Sequence, residues 1–377
     1  MPKFHGREFF KIRQNLDPVK VVITNHGIYP DNVGGMERHT FNLAKFLSAH
    51  CQVEVLVPEP YKGTAYPFSV HHLPWPDRPL WLWSNYTFSE AVGQWIERHR
   101  PDIAFGQGFN LWAYLSRKQL PCIFHPHGLD MYGEALRGRE KLTAIPFRHI
   151  VSYHAQHSDV TLSLGGKLTT ILLDRVKVPR QRVIEIPNAI DLDEYEPLET
   201  KKKEFSFLFV GRLAFNKGID LIESVLTRTR DLSYTLTMVG DGPFRSTVER
   251  LAKQDPRVRY KGEMMKDELR LEYAQHEALI FASRFEGMPT VVLEAMASTC
   301  AVIATRIGAV ETMVGNRTGI LCEPDAKSLE TALRTYCSMS LSARARLGEN
   351  GRQLVEEKFT WQKVTPLYLD LFHRLMG

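Results

Sequence analysis

Short apolar runs recur along the chain. Most end in a glycine-bearing loop and lead into a stretch whose apolar positions fall three and four apart. Val19 to Asn25 reads as a first, largely buried strand. After Gly34-Gly35-Met36-Glu37 comes a helix through Leu47, with Phe41, Ala44 and Leu47 on one face. Gln52 to Val57, Phe68 to Leu73, Pro101 to Gln107, Pro121 to His127, Asp159 to Ser163 and Val183 to Pro187 read as further strands. A helix ends near His99, and Gly138 to Ser158 is a basic, histidine-bearing helical region in which His154 and His157 share a face as surface or packing residues. The pattern then restarts. Phe205 to Val210 is a buried strand, followed by a glycine loop and a helix with Leu221, Ile222 and Val225 inward. Tyr234 to Val239, Val258 to Lys261, Ala278 to Ala282 and Ala301 to Ala304 complete the second series. Strand, glycine loop, helix, strand is the right-handed unit of a doubly wound sheet. The expectation is an α/β chain of two Rossmann-like domains.

Between the two series, Glu194 to Glu204, with Pro197 and Lys201-Lys202-Lys203, is polar and unpatterned and reads as a linker. It divides the chain into domains at 1–196 and 197–358, and 377 residues are enough for each to bury a core. The last stretch, Trp361 to Leu375, is an amphipathic helix. No apolar run is long enough to span a bilayer. The first residues, Met1 to Asp17, are polar and basic and lack the apolar core of a signal peptide. The five cysteines form no CxxC pair and read as reduced thiols, which fits a cytoplasmic location. A net charge of +5 could favour an anionic nucleotide or an acidic membrane surface, and is too small to argue for nucleic acid. There is no solenoid repeat and no low-complexity tract.

Candidate chemistry sits where strands end. After the Ala278 run come Ser283-Arg284-Phe285-Glu286-Gly287-Met288-Pro289 and then a helix carrying Val291, Val292, Ala295 and Met296. Gly287 leaves the main chain uncrowded, Pro289 suits the first helical position, and free amides at the helix start favour oxygen-rich ligands. Glu286 lies just before this helix and Glu294 about two turns into it, so two carboxylates can accept hydrogen bonds from a polyhydroxylated ligand. Gly211 to Gly218 places two cations, Arg212 and Lys217, on one strand-to-helix loop, suited to phosphate. The amides of Gly34 and Gly35 open a helix where a phosphate would be held, although the pattern is neither GxGxxG nor a P-loop and also fits an ordinary tight turn. His125 and His127 alternate on one strand face; they could be half of a metal site, but no cysteine or carboxylate pair nearby completes it. Leu73 to Phe88 holds three prolines, which argue against a regular element before Leu80, and three tryptophans, Trp75, Trp81 and Trp83. They pack against the sheet as a helix cap or form an acceptor or membrane-interface surface.

The Glu286-x7-Glu294 segment is that of retaining GT-B glycosyltransferases, and with the other motifs in order the whole chain resembles glycosyltransferase family 4. The resemblance implies a GT-B fold with an interdomain cleft and a final segment, 359–377, that crosses back onto the first domain. It implies transfer of a hexose from a nucleoside-diphosphate sugar, of the GDP-mannose or UDP-glucose type, to a carbohydrate, lipid-linked or small-molecule acceptor. In the family's pattern, Arg212 and Lys217 meet the charge of the departing diphosphate with the amides of Gly34 and Gly35. His127, in His127-Gly128-Leu129-Asp130, and Glu286 sit at the transferred sugar with the amides of Gly287 and Met288, and Glu294 holds the ribose. The turn at Glu263 and Met264 lies at the base. Asn188-Ala189-Ile190-Asp191 resembles the turn between domains, with Ala where Gly is usual, so that a left-handed backbone would be strained. The resemblance also implies a front-face route in which the donor phosphate helps to deprotonate the acceptor. No metal or other cofactor is expected, since cationic side chains take that place. The competing readings are a sugar-nucleotide epimerase of the same fold and a non-catalytic sugar-nucleotide-binding subunit; a nicotinamide dehydrogenase lacks its glycine fingerprint.

Overall fold

The computed structural model describes residues 18–60, 62–76, 78–133, 136, 138–195, 198, 200 and 202–377. The reading of residues 1–17 and the boundary expected at 196/197 fall outside them. The first sheet holds β1 Lys20–Thr24, β2 Gln52–Pro58, β3 Ser69–Leu73, β4 Ile103–Gln107, β5 Cys122–His125, β6 Val160–Ser163 and β7 Val183–Glu185, in the order β3-β2-β1-β4-β5-β6-β7. The second holds β8 Lys203–Val210, β9 Thr235–Val239, β10 Val258–Tyr260, β11 His276–Phe281, β12 Ala301–Thr305 and β13 Gly319–Cys322, in the order β10-β9-β8-β11-β12-β13. Every pairing between these strands is parallel. Both orders are doubly wound, and each reverses direction beside its first strand, between β1 and β4 and between β8 and β11. Ligands of open parallel sheets bind in the crevice at such a reversal.

The strands form because their residues suit burial on both faces. Val21, Val22 and Ile23 of β1 are fully buried, as are Val302 and Ile303 of β12. Such runs of β-branched residues belong in sheets covered on both sides. The helix Trp361–Met376 lays Trp361, Val364, Tyr368 and Phe372 into the core of the first sheet, beside Val21, Ile23 and Leu43. A second core runs across both halves: Phe124 and Leu129 of the first share it with Leu208, Met288, Val292 and Val302 of the second.

Several local expectations change. β5 ends at His125, and His127 lies beyond it with φ 57, because Pro126 has no N–H to continue the ladder. Pro289 is the residue before the helix Thr290–Ala297, with extended ψ, rather than its first position. The stretch read as an unpatterned linker contains a turn at Leu192–Tyr195 and the start of β8 at Lys203. Ala189 is not among the residues with positive φ, so the strain expected of a left-handed alanine does not arise. The tryptophans divide: Trp75 packs 5.6 Å from Phe88, whereas Trp81 and Trp83 start the helix Trp81–His99 and are 46% and 66% exposed. Likewise His154 is buried and His157 exposed. All five cysteines are free.

Candidate functional site

At the end of β1 the chain turns through a loop into the helix Gly35–Leu47, whose capping residue Gly34 is extended. A side chain at Gly35 would meet nothing within 4 Å, so the amides here face open space. One turn in, the Thr40 hydroxyl accepts from the Asn25 amide at 2.8 Å and from Gln107 Nε2 at 2.7 Å. It donates to the Met36 carbonyl. That fixes Gln107 with its carbonyl oxygen 2.7 Å from His127 Nε2. A neutral imidazole must then donate from Nε2, leaving Nδ1 as an acceptor. Burial, with His125 and His39 as neighbours, holds the His127 pKa well below the usual histidine range.

The second half supplies the charges. The loop after β8 is pinned by Leu213 N donating to the Asp241 carbonyl. Gly218 then turns with φ 73, and a Cβ there would come 2.1 Å from the Ala282 carbonyl oxygen. Only glycine fits that approach. Lys217 consequently points at the loop after β11, where its ammonium is bonded to Glu286. Ser283 Oγ donates to the same carboxylate at 3.1 Å. Arg284 holds the two loops together, its amide donating to the Asn216 carbonyl at 2.7 Å and its guanidinium pairing with Asp220 at 2.6 Å. Glu294, the fifth residue of its helix, is buried; the Tyr273 hydroxyl donates to it at 3.0 Å. Arg212 is exposed, with no ion-pair or hydrogen-bond partner for its side chain among the described residues. Glu263 is exposed, Met264 is half-buried against the shared core, and Met288 is buried in it.

The halves meet at the glycine of the Glu286 loop. A Cβ on Gly287 would lie 1.9 Å from the His127 carbonyl oxygen. Asn188 Nδ2 donates to the Met288 carbonyl at 2.6 Å. Arg38, from the first turn of the helix Gly35–Leu47, reaches across to Glu294 at 3.6 Å. Burial and then the Glu286 carboxylate raise the pKa of Asp130, which follows His127, while Lys217 opposes them. Seven of the expected residues therefore adjoin one junction: Gly34, Gly35, His127, Lys217, Glu286, Gly287 and Glu294. Arg212, Glu263 and Met264 are placed on loops of the second half without a contact to the others.

Five residues of the junction escape a reading of the sequence: Arg38, Gln107, Asp130, Tyr273 and Asn188. Only Asp130 carries a signal, two residues past the glycine of the expected His-Gly element. His39 escapes it too. It lies with His125 and His127 so that one nitrogen from each falls within 4.8 Å of the others, which supplies the third imidazole the sequence had not shown. No carboxylate belongs to that group, so a divalent ion there would bring its whole charge into a buried setting. The three rings are described here as a packed polar cluster behind His127.

Two family models match, Glycosyltransferase Family 4 over residues 33–194 and Glycosyl transferases group 1 over residues 204–338, and together they take in most of the chain. A human phosphatidylinositol N-acetylglucosaminyltransferase is 25% identical over 376 residues, covering 92% of this chain and 74% of the human protein. An uncharacterised glycosyltransferase of Methanocaldococcus jannaschii is 25% identical over 351 residues, covering 89% of this chain and 93% of its own. The fold is that of a sucrose-phosphate synthase from Thermosynechococcus elongatus, with TM-score 0.80 and 20% identity over 95% of this chain and 99% of that one. Two doubly wound sheets, a junction that draws on both, and matches to each half carry one conclusion: the chain belongs to glycosyltransferase family 4 and is a GT-B enzyme of sugar transfer from sugar nucleotides.

Proposed function

We propose that the protein transfers a hexose from a nucleoside diphosphate sugar to an acceptor hydroxyl with retention of anomeric configuration. The observation that carries this reading is the Lys217–Glu286 pair lying beside the His127–Gly287 contact, so that a cation and two sugar-facing groups converge from both halves. In the reaction the bond between the anomeric carbon and the diphosphate oxygen breaks. The acceptor oxygen bonds to the same face of that carbon, and its proton passes to the departing phosphate. The difficult event is charge appearing on the diphosphate. Lys217, Arg212 and the amides of Gly34 and Gly35 are placed to meet it without reorganising solvent. His127 Nδ1 is free to accept from a sugar hydroxyl, and Glu286 accepts from two others once Lys217 turns to phosphate. Glu294 takes the ribose, Glu263 and Met264 the base, and Gly287 and Met288 supply amides to the sugar. Cationic side chains do the work a metal does elsewhere, so donor activation needs no added ion.

A thermal-shift panel of nucleoside diphosphates and their sugars tests this and selects the base, because a ligand of the folded state raises the melting point. Release of nucleoside diphosphate in the presence of acceptor, with the product's anomeric configuration read by NMR, then tests transfer. An epimerised sugar without acceptor would favour the epimerase reading. Binding without turnover or slow hydrolysis would favour a non-catalytic subunit.

A further inference from the structure

The exposed apolar side chains of the first half gather on one face. Leu80, Trp83 and Tyr86, at and near the start of the helix Trp81–His99, are 62%, 66% and 44% exposed. Their spacing of three puts them on one stripe. On the helix Arg139–His157, Leu142 and Ile145 are 68% and 45% exposed at the same spacing. The stripes adjoin, since the rings of Trp81 and Phe147 are 6.4 Å apart. A contiguous apolar patch of this kind marks an interaction surface.

The patch is edged with positive charge. Arg78, Arg139 and Lys141 are exposed and have no ion-pair partner among the described residues. Between Arg78 and Ser89 and between Arg139 and His149 the one acid is Glu140, which has an interaction of its own. The patch also reaches the crevice. Trp81 lies 5.2 Å from the His26 ring. His26 follows β1, and its amide donates to Asn25, a member of the network that holds Gln107 and His127. Leu80, Leu142 and Ile145 offer no flat face for a sugar ring, but they do offer surface to lipid, and tryptophan favours the boundary between headgroups and chains. Among the described residues no helix is long and apolar enough to cross a membrane, so such a face would lie on the surface.

We propose that this face docks on an anionic lipid bilayer and holds the crevice against a surface that presents a lipid-borne acceptor. The docking stands on the patch alone; the identity of the acceptor rests on the glycosyl-transfer reading. Each cation near an acidic leaflet is worth about 1 kcal/mol, roughly fivefold in binding.

The test is co-sedimentation of the full chain, without nucleotide, with vesicles of phosphatidylcholine alone and of phosphatidylcholine containing one third phosphatidylglycerol. The expected result is binding to the anionic vesicles that weakens with salt, and a blue shift of tryptophan emission on binding. Arg139→Glu with Lys141→Glu, and separately Trp83→Ser with Leu142→Ser, should each weaken it by about tenfold or more. These positions are exposed, so the melting point should hold. If a variant melts early, the salt dependence and emission shift of the wild-type chain decide the matter. Equal affinity for both vesicles, no affinity for either, or variants that bind like the wild type would overturn the proposal. So would loss of a soluble oligosaccharide's binding in Trp83→Ser without vesicle binding in the wild type, which would make the patch a sugar platform. Donor turnover to a soluble acceptor or to water is measured in parallel. Intact turnover without vesicle binding sinks the docking alone, and vesicle binding without turnover sinks the transfer reading alone.

Discussion

Replacing Lys217 by alanine separates binding from chemistry. In the free protein its ammonium is one-quarter exposed and bonded to a Glu286 carboxylate that is 17% exposed. Such a half-open ion pair contributes only about 0–1 kcal/mol to stability, so the melting point should barely move. The transition state is different. There the ammonium would face phosphate oxygens bearing charge that the ground state spreads over the glycosidic bond. Two unit charges about 4 Å apart attract by roughly 4 kcal/mol at an effective dielectric near 20. Loss of one preplaced donor to a developing oxyanion costs about 3 kcal/mol by mutagenesis, or more than a hundredfold in rate. Both figures point to the same size of effect. The loss also leaves Glu286 and Asp130 facing the diphosphate with no neighbouring cation to offset them, which acts in the same direction. The assay is nucleoside diphosphate release at saturating donor, with donor affinity measured separately by calorimetry. Turnover should fall about a hundredfold while affinity changes by about a few-fold. Turnover within about threefold of the wild type would show that Lys217 is a loop charge and that the assigned role is wrong.

Arg212→Ala should lower turnover in the same sense, although its side chain is unengaged in the free protein; unchanged turnover would leave it a solvated loop residue. Glu294→Gln removes a charge that Arg38 and Tyr273 address, and a charge-assisted hydrogen bond is worth about 1.5–3 kcal/mol. Calorimetry should show nucleoside diphosphate binding weakened by about tenfold or more, and equal affinity would remove Glu294 from the ribose. Gly287→Ala drives a Cβ to 1.9 Å from the His127 carbonyl oxygen. It should lower the melting point by several degrees through about 1–3 kcal/mol of overpacking, and an unchanged melting point would mean the halves do not meet there. Burial lowers the His154 pKa from 6.5 to about 4. The unfolded chain then takes up the proton first as pH falls, so this stability is present above about 6.5 and is lost towards 4. Urea unfolding of the wild type and of His154→Leu should diverge by about 3 kcal/mol between pH 7.5 and pH 4, and parallel pH profiles would exclude a buried neutral imidazole.

The strands were legible because each is a short run of buried β-branched and aromatic residues closed by a turn-forming loop, a signal that needs no knowledge of the rest of the chain. The same locality explains what was missed. Alternation put His125 and His127 on one strand face, but Pro126 ends the ladder between them, and their rings still lie 3.8 Å apart because His127 turns left-handed. The polar stretch before β8 has no internal pattern. Its order comes from distant partners, as when Lys202 Nζ donates to the carbonyls of Tyr273, His276 and Ser298. Glu286, Glu294 and Lys217 were found because their spacing on single loops is a local signature. Arg38 looks like any charged position on a surface helix, and nothing in its neighbourhood announces a carboxylate from the other half of the chain. Gln107 reads as the last residue of a buried strand; only the fold puts it against His127.

The charges at the junction bear on how a donor enters. In the free protein the two cations nearest the candidate sugar and ribose positions are engaged: Lys217 by Glu286 and Arg38 by Glu294. Neither glutamate is bare, since Ser283 and Tyr273 also donate to them. On the proposed reading, a diphosphate sugar therefore exchanges partners within the site. Its phosphates draw Lys217 away, and the freed Glu286 oxygens are the acceptors that sugar hydroxyls need. A bare nucleoside diphosphate takes the cation without replacing the hydrogen bonds that Glu286 loses. The sugar thus contributes to affinity through the carboxylate that phosphate uncovers, so the coupling between the two halves of the donor is built into a single ion pair. Arg38 has a different consequence. It belongs to the helix whose first amides await the phosphate, and its partner belongs to the other sheet, so whatever moves the halves apart removes a cation from Glu294 and the Gly34 and Gly35 amides from the diphosphate together.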